Sequence, residues 1–260
     1  MLIVVSPAKT LDFESRVSVP ECTVPRLLDD AAQLADVLKS KSPAQLKRMM
    51  SISDKLAEQN HQRFQDWDAS AHQSANDDGS RPAVMAFKGD VYLGLKADEM
   101  TPKQLLHAQD HLRILSGMYG ILRPLDRMLP YRLEMGTTLK TKRGKDLYAF
   151  WGSRITDELN AQLAATKTPL LLNLASNEYF RSVRAGELNA SVVAPVFKDF
   201  SNGKYKVLSF FAKKARGTMA AWVIKHKVKT LKKLVSFAED GYTYDEASST
   251  ENAPVFLRTG

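Results

Sequence analysis

The chain has 260 residues, 44% of them apolar and 25% charged, the balance of a globular protein rather than a disordered, collagenous or coiled-coil chain. Lys and Arg number 37 against 29 Asp and Glu, a net charge of +8 that suits an anionic partner. No stretch approaches the roughly 18 apolar residues of a membrane span, and the single cysteine, Cys22, rules out an intramolecular disulfide.

Met1-Leu-Ile-Val-Val-Ser6-Pro7 is too short an apolar run for a signal peptide and lacks a basic lead. It predicts a buried first strand, and the lone cysteine fits a reducing, cytoplasmic setting. Ser42-Pro43-Ala44-Gln45 has the capping-box pattern and opens a predicted helix to about 51, followed by a second over 54–64. Residues 69–82 are polar and turn-rich and predict an exposed loop. A short strand is expected over 84–87. Thr101-Pro102-Lys103-Gln104 is a second capping box, opening a helix to about 115. Leu170–Leu174 is a continuous apolar run, as in a strand buried on both faces, with helical patterns over 151–165 and 177–184. Strands over 192–197 and 204–211 are joined by Ser201-Asn202-Gly203, a hairpin turn signal. A helix over 213–226 and short strands at 242–244 and 254–257 complete the order. The expected fold is α/β (mixed α+β): one compact domain over 1–260, with a mixed β-sheet flanked by helices.

The positive charge is unevenly placed. Residues 195–235 hold eleven basic residues and one acid, and residues 112–145 hold eight and two. These stretches carry +16 between them and the rest of the chain −8. Two solvated lysine faces would account for this, and so would a surface for the phosphate backbone of DNA.

The segment Leu112-Arg113-Ile-Leu-Ser116-Gly117-Met-Tyr-Gly120-Ile-Leu-Arg123-Pro124-Leu-Asp126 reads as a capped helix, a glycine turn and a second short helical pattern. Turn amides can hold a phosphate, and Arg113, Arg123 and Arg127 add charge. Residues 102–130 therefore resemble a helix-hairpin-helix, although its glycines stand three apart rather than the usual two. An ordinary helical hairpin in the core is the alternative. The 213–226 helix begins Lys213-Lys214-Ala-Arg216, and cations there oppose the helix dipole unless an anion offsets them.

Lys9 with Asp12 follows the first strand, Lys88 with Asp90 follows the strand at 84–87, and Lys145 with Asp146 lies in a turn-like setting. Ligands of open α/β sheets sit beyond strand carboxyl ends. These pairs are turn ion pairs or, converging, a catalytic pocket for a nucleotide or phosphorylated small molecule. His107 and His111 share a predicted helix face but lack the glutamate of a zinc protease, and no metal is expected. No Walker loop, GxGxxG or GxSxG occurs, and no cofactor is expected. Cys22 has no basic motif beside it and reads as inert. Phe210, Phe211, Trp151 and Trp222 read as core rather than base-stacking residues.

Several long strings carry a resemblance. SPAKTLD (6–12), ISDKLAEQN (52–60), FKGDVYLGL (87–95), LSGMYGILRPLDRMLPYRLEMG (115–136), GKDLYAFWG (144–152), NLASNEYF (173–180) and FFAKKARG (210–217) resemble the YaaA family of bacterial peroxide stress resistance proteins, nearly end to end. The resemblance implies a cytoplasmic protein that helps cells survive hydrogen peroxide and limits iron-driven damage to DNA. It also implies a fold with a helix-hairpin-helix and a basic cleft, and DNA binding without marked sequence preference. Carried over, the hairpin falls on Ser116, Gly117, Gly120 and Arg123, and the cleft charges on Lys9, Lys55, Lys88, Arg132, Lys145, Lys213, Lys214 and Arg216. DNA is the expected partner, duplex or branched or single-stranded, with no membrane and a monomer as the simplest state.

Overall fold

The computed structural model describes residues 1–73 and 79–259. β1 (Leu2–Val5) is buried along its whole length, as four consecutive apolar residues require. β2 (Thr10–Leu11) and α1 (Leu28–Lys39) follow. α2 (Pro43–Met50) opens with the expected capping box: the Ser42 hydroxyl accepts from the Gln45 amide and the Gln45 side chain accepts from the Ser42 amide. Ser51 ends it in the left-handed conformation (φ 51°), and Ser53 caps α3 (Asp54–Gln65) two residues later.

The 69–82 segment is not simply exposed. His72 sits fully buried in a short 3-10 turn, and β3 (Arg81–Pro82) is buried as well; residues 74–78 of that predicted loop lie outside the described residues. The strand expected over 84–87 is one helical turn, α4 (Ala83–Ala86), running into β4 (Phe87–Lys88). α5 (Asp90–Leu95) comes next.

The largest departure follows α6 (Pro102–His111). Its capping box is present, but the helix stops at His111 rather than 115. Leu112–Ser116 is β5 and Gly120–Leu122 is β6, an antiparallel β-hairpin in place of the expected helix-hairpin-helix. Leu112, Ile114 and Leu115 suit either state; parallel pairing of β5 with β1 decides it. β7 (Arg127–Met128), α7 (Leu147–Trp151), α8 (Arg154–Thr166) and β8 (Leu170–Leu174) lead to α9 (Asn177–Phe180) and β9 (Ser191–Val193). The last part holds β10 (Val196–Ser201), β11 (Lys204–Lys206), α10 (Ser209–His226), α11 (Leu231–Leu234), β12 (Thr243–Thr250) and β13 (Ala253–Arg258).

The strands form a mixed α/β architecture with several sheets. The central sheet has the order β6-β5-β1-β8-β9, parallel except for β6. A second sheet has the order β11-β10-β13-β12, and β2–β4 and β3–β7 form two small ribbons. One apolar cluster, running from Met1 to Phe256, joins the layers. No described helix is long and apolar enough to cross a membrane.

A cleft beyond the carboxyl ends of β1 and β8

The turn after β1 and the turn after β8 face each other where adjacent parallel strands end. Ser6 Oγ, just past β1, accepts from the Ser176 amide at 2.8 Å, just past β8. A cleft of about 470 Å³ opens there, lined among others by Ser6, Lys9, Lys88, Asp90, Tyr92, Glu134, Ser176, Glu178, Lys213 and Arg216. The position is the one that topology favours for ligands of parallel sheets.

Two glycines bring α10 to this cleft. A side chain at Gly217 would strike the Val91 carbonyl oxygen, and one at Gly94 would strike the Lys214 carbonyl oxygen. The backbones of α5 and α10 therefore touch, which only glycine permits. Lys213 and Arg216 of α10 are thereby held over Asp90 at the start of α5, and the Lys213 ammonium lies 3.8 Å from the Asp90 carboxylate. Lys9 pairs with Glu134 at 2.9 Å, and Arg132 approaches the same carboxylate at 3.3 Å. Arg216 is half-buried, and among the described residues no carboxylate lies within ion-pairing distance of it. Burial lowers the pKa of its guanidinium.

Lys88 joins this cleft to a neighbouring hollow of about 500 Å³ that also holds Asp12 and Arg81. The Lys88 ammonium sits 2.5 Å from the buried Asp12 carboxylate. That ion pair, the Ser15 hydroxyl and the amides of Glu14 and Ser15 hold Asp12 well below the usual carboxylate range. Asp12 thus shapes the turn after β2. Its oxygens are already occupied by these donors.

The other expected site residues lie elsewhere. Asp146 caps α7 by accepting from the Ala149 amide, and exposed Lys145 beside it does not line the cleft. Lys214 faces away, paired with Asp240 at 3.3 Å. Arg113 is buried and donates to the Gln109 and Leu112 carbonyls, with burial pushing its pKa down to about 10. Arg123 pairs with buried Asp126 at 2.8 Å, and Arg127 donates to the Ser80 hydroxyl. Ser116 is fully buried between the Tyr131 hydroxyl and the Tyr119 amide. The Gly117 carbonyl accepts from the Trp151 indole, and Gly120, at φ +68°, leaves no room for a side chain against that ring. The glycine turn is thus sealed in the core, where its amides cannot meet a phosphate.

The two helices expected over 42–51 and 54–64 are present and form a helical hairpin. α2 and α3 meet through Ser51-Ile52-Ser53, with Ile52 buried between two serines two positions apart. Ser42 and Ser53, each capping the helix that follows it, were the signals in the sequence. Lys55 lies exposed on its second helix, beside exposed Arg48 on the first. The aromatic expectation also divides: Trp151 and Trp222 are core, whereas Phe210 and Phe211 are exposed. His107 and His111 pack with tilted rings 4.2 Å between centroids, and burial and His107 push His111 down to about 4. No cluster of three or more His, Cys, Asp or Glu that could hold a metal occurs among the described residues.

Comparison with known proteins agrees along the whole length. A family model described as "Peroxide stress protein YaaA" matches residues 1–248. A UPF0246 protein of Saccharophagus degradans is 52% identical over 258 residues, covering 99% of each chain. UPF0246 proteins of Alcanivorax borkumensis and Aliivibrio fischeri (strain MJ11) are 52% and 50% identical over 258 residues, covering 99% of this chain and 98% of theirs. On the strength of that end-to-end match, the chain belongs to the peroxide stress protein YaaA family.

Proposed function

We propose that this protein acts in the peroxide stress response by binding DNA without marked sequence preference, so limiting iron-driven DNA damage. The observation that carries this reading is the convergence of Lys9, Lys88, Lys213 and Arg216, from three separate parts of the chain, on one cleft. Cations gathered this way grip phosphates through charge and carry no base readout. Exposed Arg48 and Lys55, on either side of the Ser51–Ser53 turn, supply a second backbone contact through their charge. Fluorescence anisotropy with a duplex across a salt series tests this. Lys213→Glu, at an exposed side chain, should weaken binding about tenfold and reduce the salt slope by about one to two released ions.

A second reading is favoured by the acidic wall of the same cleft. Asp90, Glu134 and Glu178 line it beside the cations, and a backbone-binding groove has no need of carboxylates. The site would then hold a phosphorylated small molecule, with its phosphate on Arg216 and Lys213 and its hydroxyls on the carboxylates. Lys9, 62% exposed at its side chain, is the candidate nucleophile or base. Lys9→Ala would abolish peroxide resistance on this reading while leaving duplex affinity within about twofold. Intact resistance in that variant removes it.

A further inference from the structure

The hollow beside the cleft is lined differently from the cleft itself. Thr10, Lys88, Gly89 and Tyr92 line both, so the two spaces are continuous. The cleft gathers the cations Lys9, Lys213 and Arg216, whereas the hollow, about 500 Å³, is walled by Val17, Val84, Met85, Phe87 and Leu93. Leu93 on α5 is 58% exposed there, and neither it nor Val17 belongs to the apolar cluster that holds the layers together. An open apolar wall beside a charged cleft fits a ligand that is anionic at one end and apolar at the other.

The polar groups of the hollow narrow the class. Arg81 forms part of its wall, with a side chain only 9% exposed. Its Nη2 donates to the Ser15 carbonyl and its Nη1 stands 3.8 Å from the Asp12 carboxylate, but its Nε is buried with no hydrogen-bond partner among the described residues. A buried donor left over costs free energy, so the wall has a donor to offer an acceptor. The Thr10 hydroxyl and the Asp98 carboxylate, both on exposed residues, line the same hollow. An acyl chain would meet the apolar wall and leave these groups unused. A nucleobase has apolar faces and an edge of donors and acceptors, and suits both. In the cleft, Lys213 and Arg216 suit a phosphate, and Asp90, Glu134 and Glu178 suit the hydroxyls of a sugar. Lys88 stands between the two spaces, its ammonium held by Asp12.

We propose that the cleft and the hollow together form a mononucleotide site, with the phosphate on Lys213 and Arg216 and the nucleobase against Val17 and Leu93 in the hollow. This rests on the small-molecule reading of the cleft and deepens it by naming the ligand class. The cleft gives affinity for a sugar phosphate, and the hollow adds a preference for one that carries a base.

Isothermal titration calorimetry of the full chain tests this, with AMP, GMP, CMP and UMP compared with ribose 5-phosphate. At least one nucleotide should bind about tenfold or more tightly than ribose 5-phosphate. The double variant Val17→Asp, Leu93→Asp should bring that nucleotide to within about twofold of ribose 5-phosphate, with the fold verified by circular dichroism. Arg216→Gln should weaken both ligands about fivefold or more. Ribose 5-phosphate binding as tightly as every nucleotide, or a nucleotide preference that survives the double variant, overturns the base subsite and leaves the small-molecule reading standing. Absence of binding of all five ligands to the unaltered chain overturns both.

Discussion

The chain contains two hairpins of the same chemical appearance and opposite use. β5–β6 turns at Gly117 to Gly120, and β10–β11 turns at Asn202-Gly203; both lie within the basic stretches of the sequence. The first is locked into the centre of the molecule, its turn covered by Trp151 and Leu133. The second projects from a sheet edge with its turn open to water. Glycine, arginine and lysine are the raw material of a phosphate site, but burial decides whether a phosphate can arrive. At the first hairpin the arginines hold the fold together; at the second the lysines are free to meet a ligand.

Tyr119 shows how thoroughly the first hairpin is committed to structure. Its hydroxyl accepts from the Trp67 indole at 3.1 Å and from the Leu129 amide at 3.0 Å. Its proton therefore goes to His72 Nε2, 2.9 Å away, and His72 Nδ1–H donates to the Asp68 and Ala69 carbonyls. Every polar group in this buried cluster has a partner, and the arrangement holds only while His72 is neutral.

The comparison can be broken at matched positions. Gly120→Ala places a methyl group against the Trp151 ring at a left-handed φ, and should cost about 4 kcal/mol from overpacking and strain together. Urea unfolding would record it as a large fall in midpoint at constant slope. Tyr119→Phe leaves the Trp67 and Leu129 N–H groups and His72 unpaired in the core, and should cost about 3 kcal/mol in the same assay. The pH dependence comes third. Burial lowers the His72 pKa below its ordinary value near 6.5. The unfolded chain then binds the proton more readily, so stability is full above pH 6.5 and falls as pH drops below it, by about 1.4 kcal/mol per pH unit at most. His72→Gln should flatten that limb. Gly203→Ala, at φ +78° with nothing within 4 Å, is the smallest, about 1 kcal/mol for backbone strain alone. Equal costs at Gly120 and Gly203 would contradict the division between the hairpins.

Much of the fold was legible where local chemistry and tertiary context agree. The apolar runs of β1 and β8, the capping boxes of α2 and α6, and the Asn202-Gly203 turn each carry their own structural instruction. Leu112–Ser116 carries none: three apolar residues around Arg113 suit a helix or a strand, and pairing with β1, over one hundred residues away, selects the strand. The site was legible in parts. Lys9, Lys88, Asp90, Lys213 and Arg216 were identifiable by residue type, and the cleft gathers them. That Lys145 and Asp146 stand apart depends on the path of the chain between strands, which no local pattern encodes. Phe210 and Phe211 were misread because aromatic residues are usually core. Only the folded chain shows that both rings stay exposed, at the start of α10.

The most direct test of the central claim is the salt dependence of duplex binding for the unaltered chain and for Lys213→Glu. The account predicts submillimolar binding that weakens steeply with salt, and a variant about tenfold weaker with a slope lower by one to two ions. Identical affinity and identical slope in the two proteins would show that DNA does not occupy the cleft beyond β1 and β8.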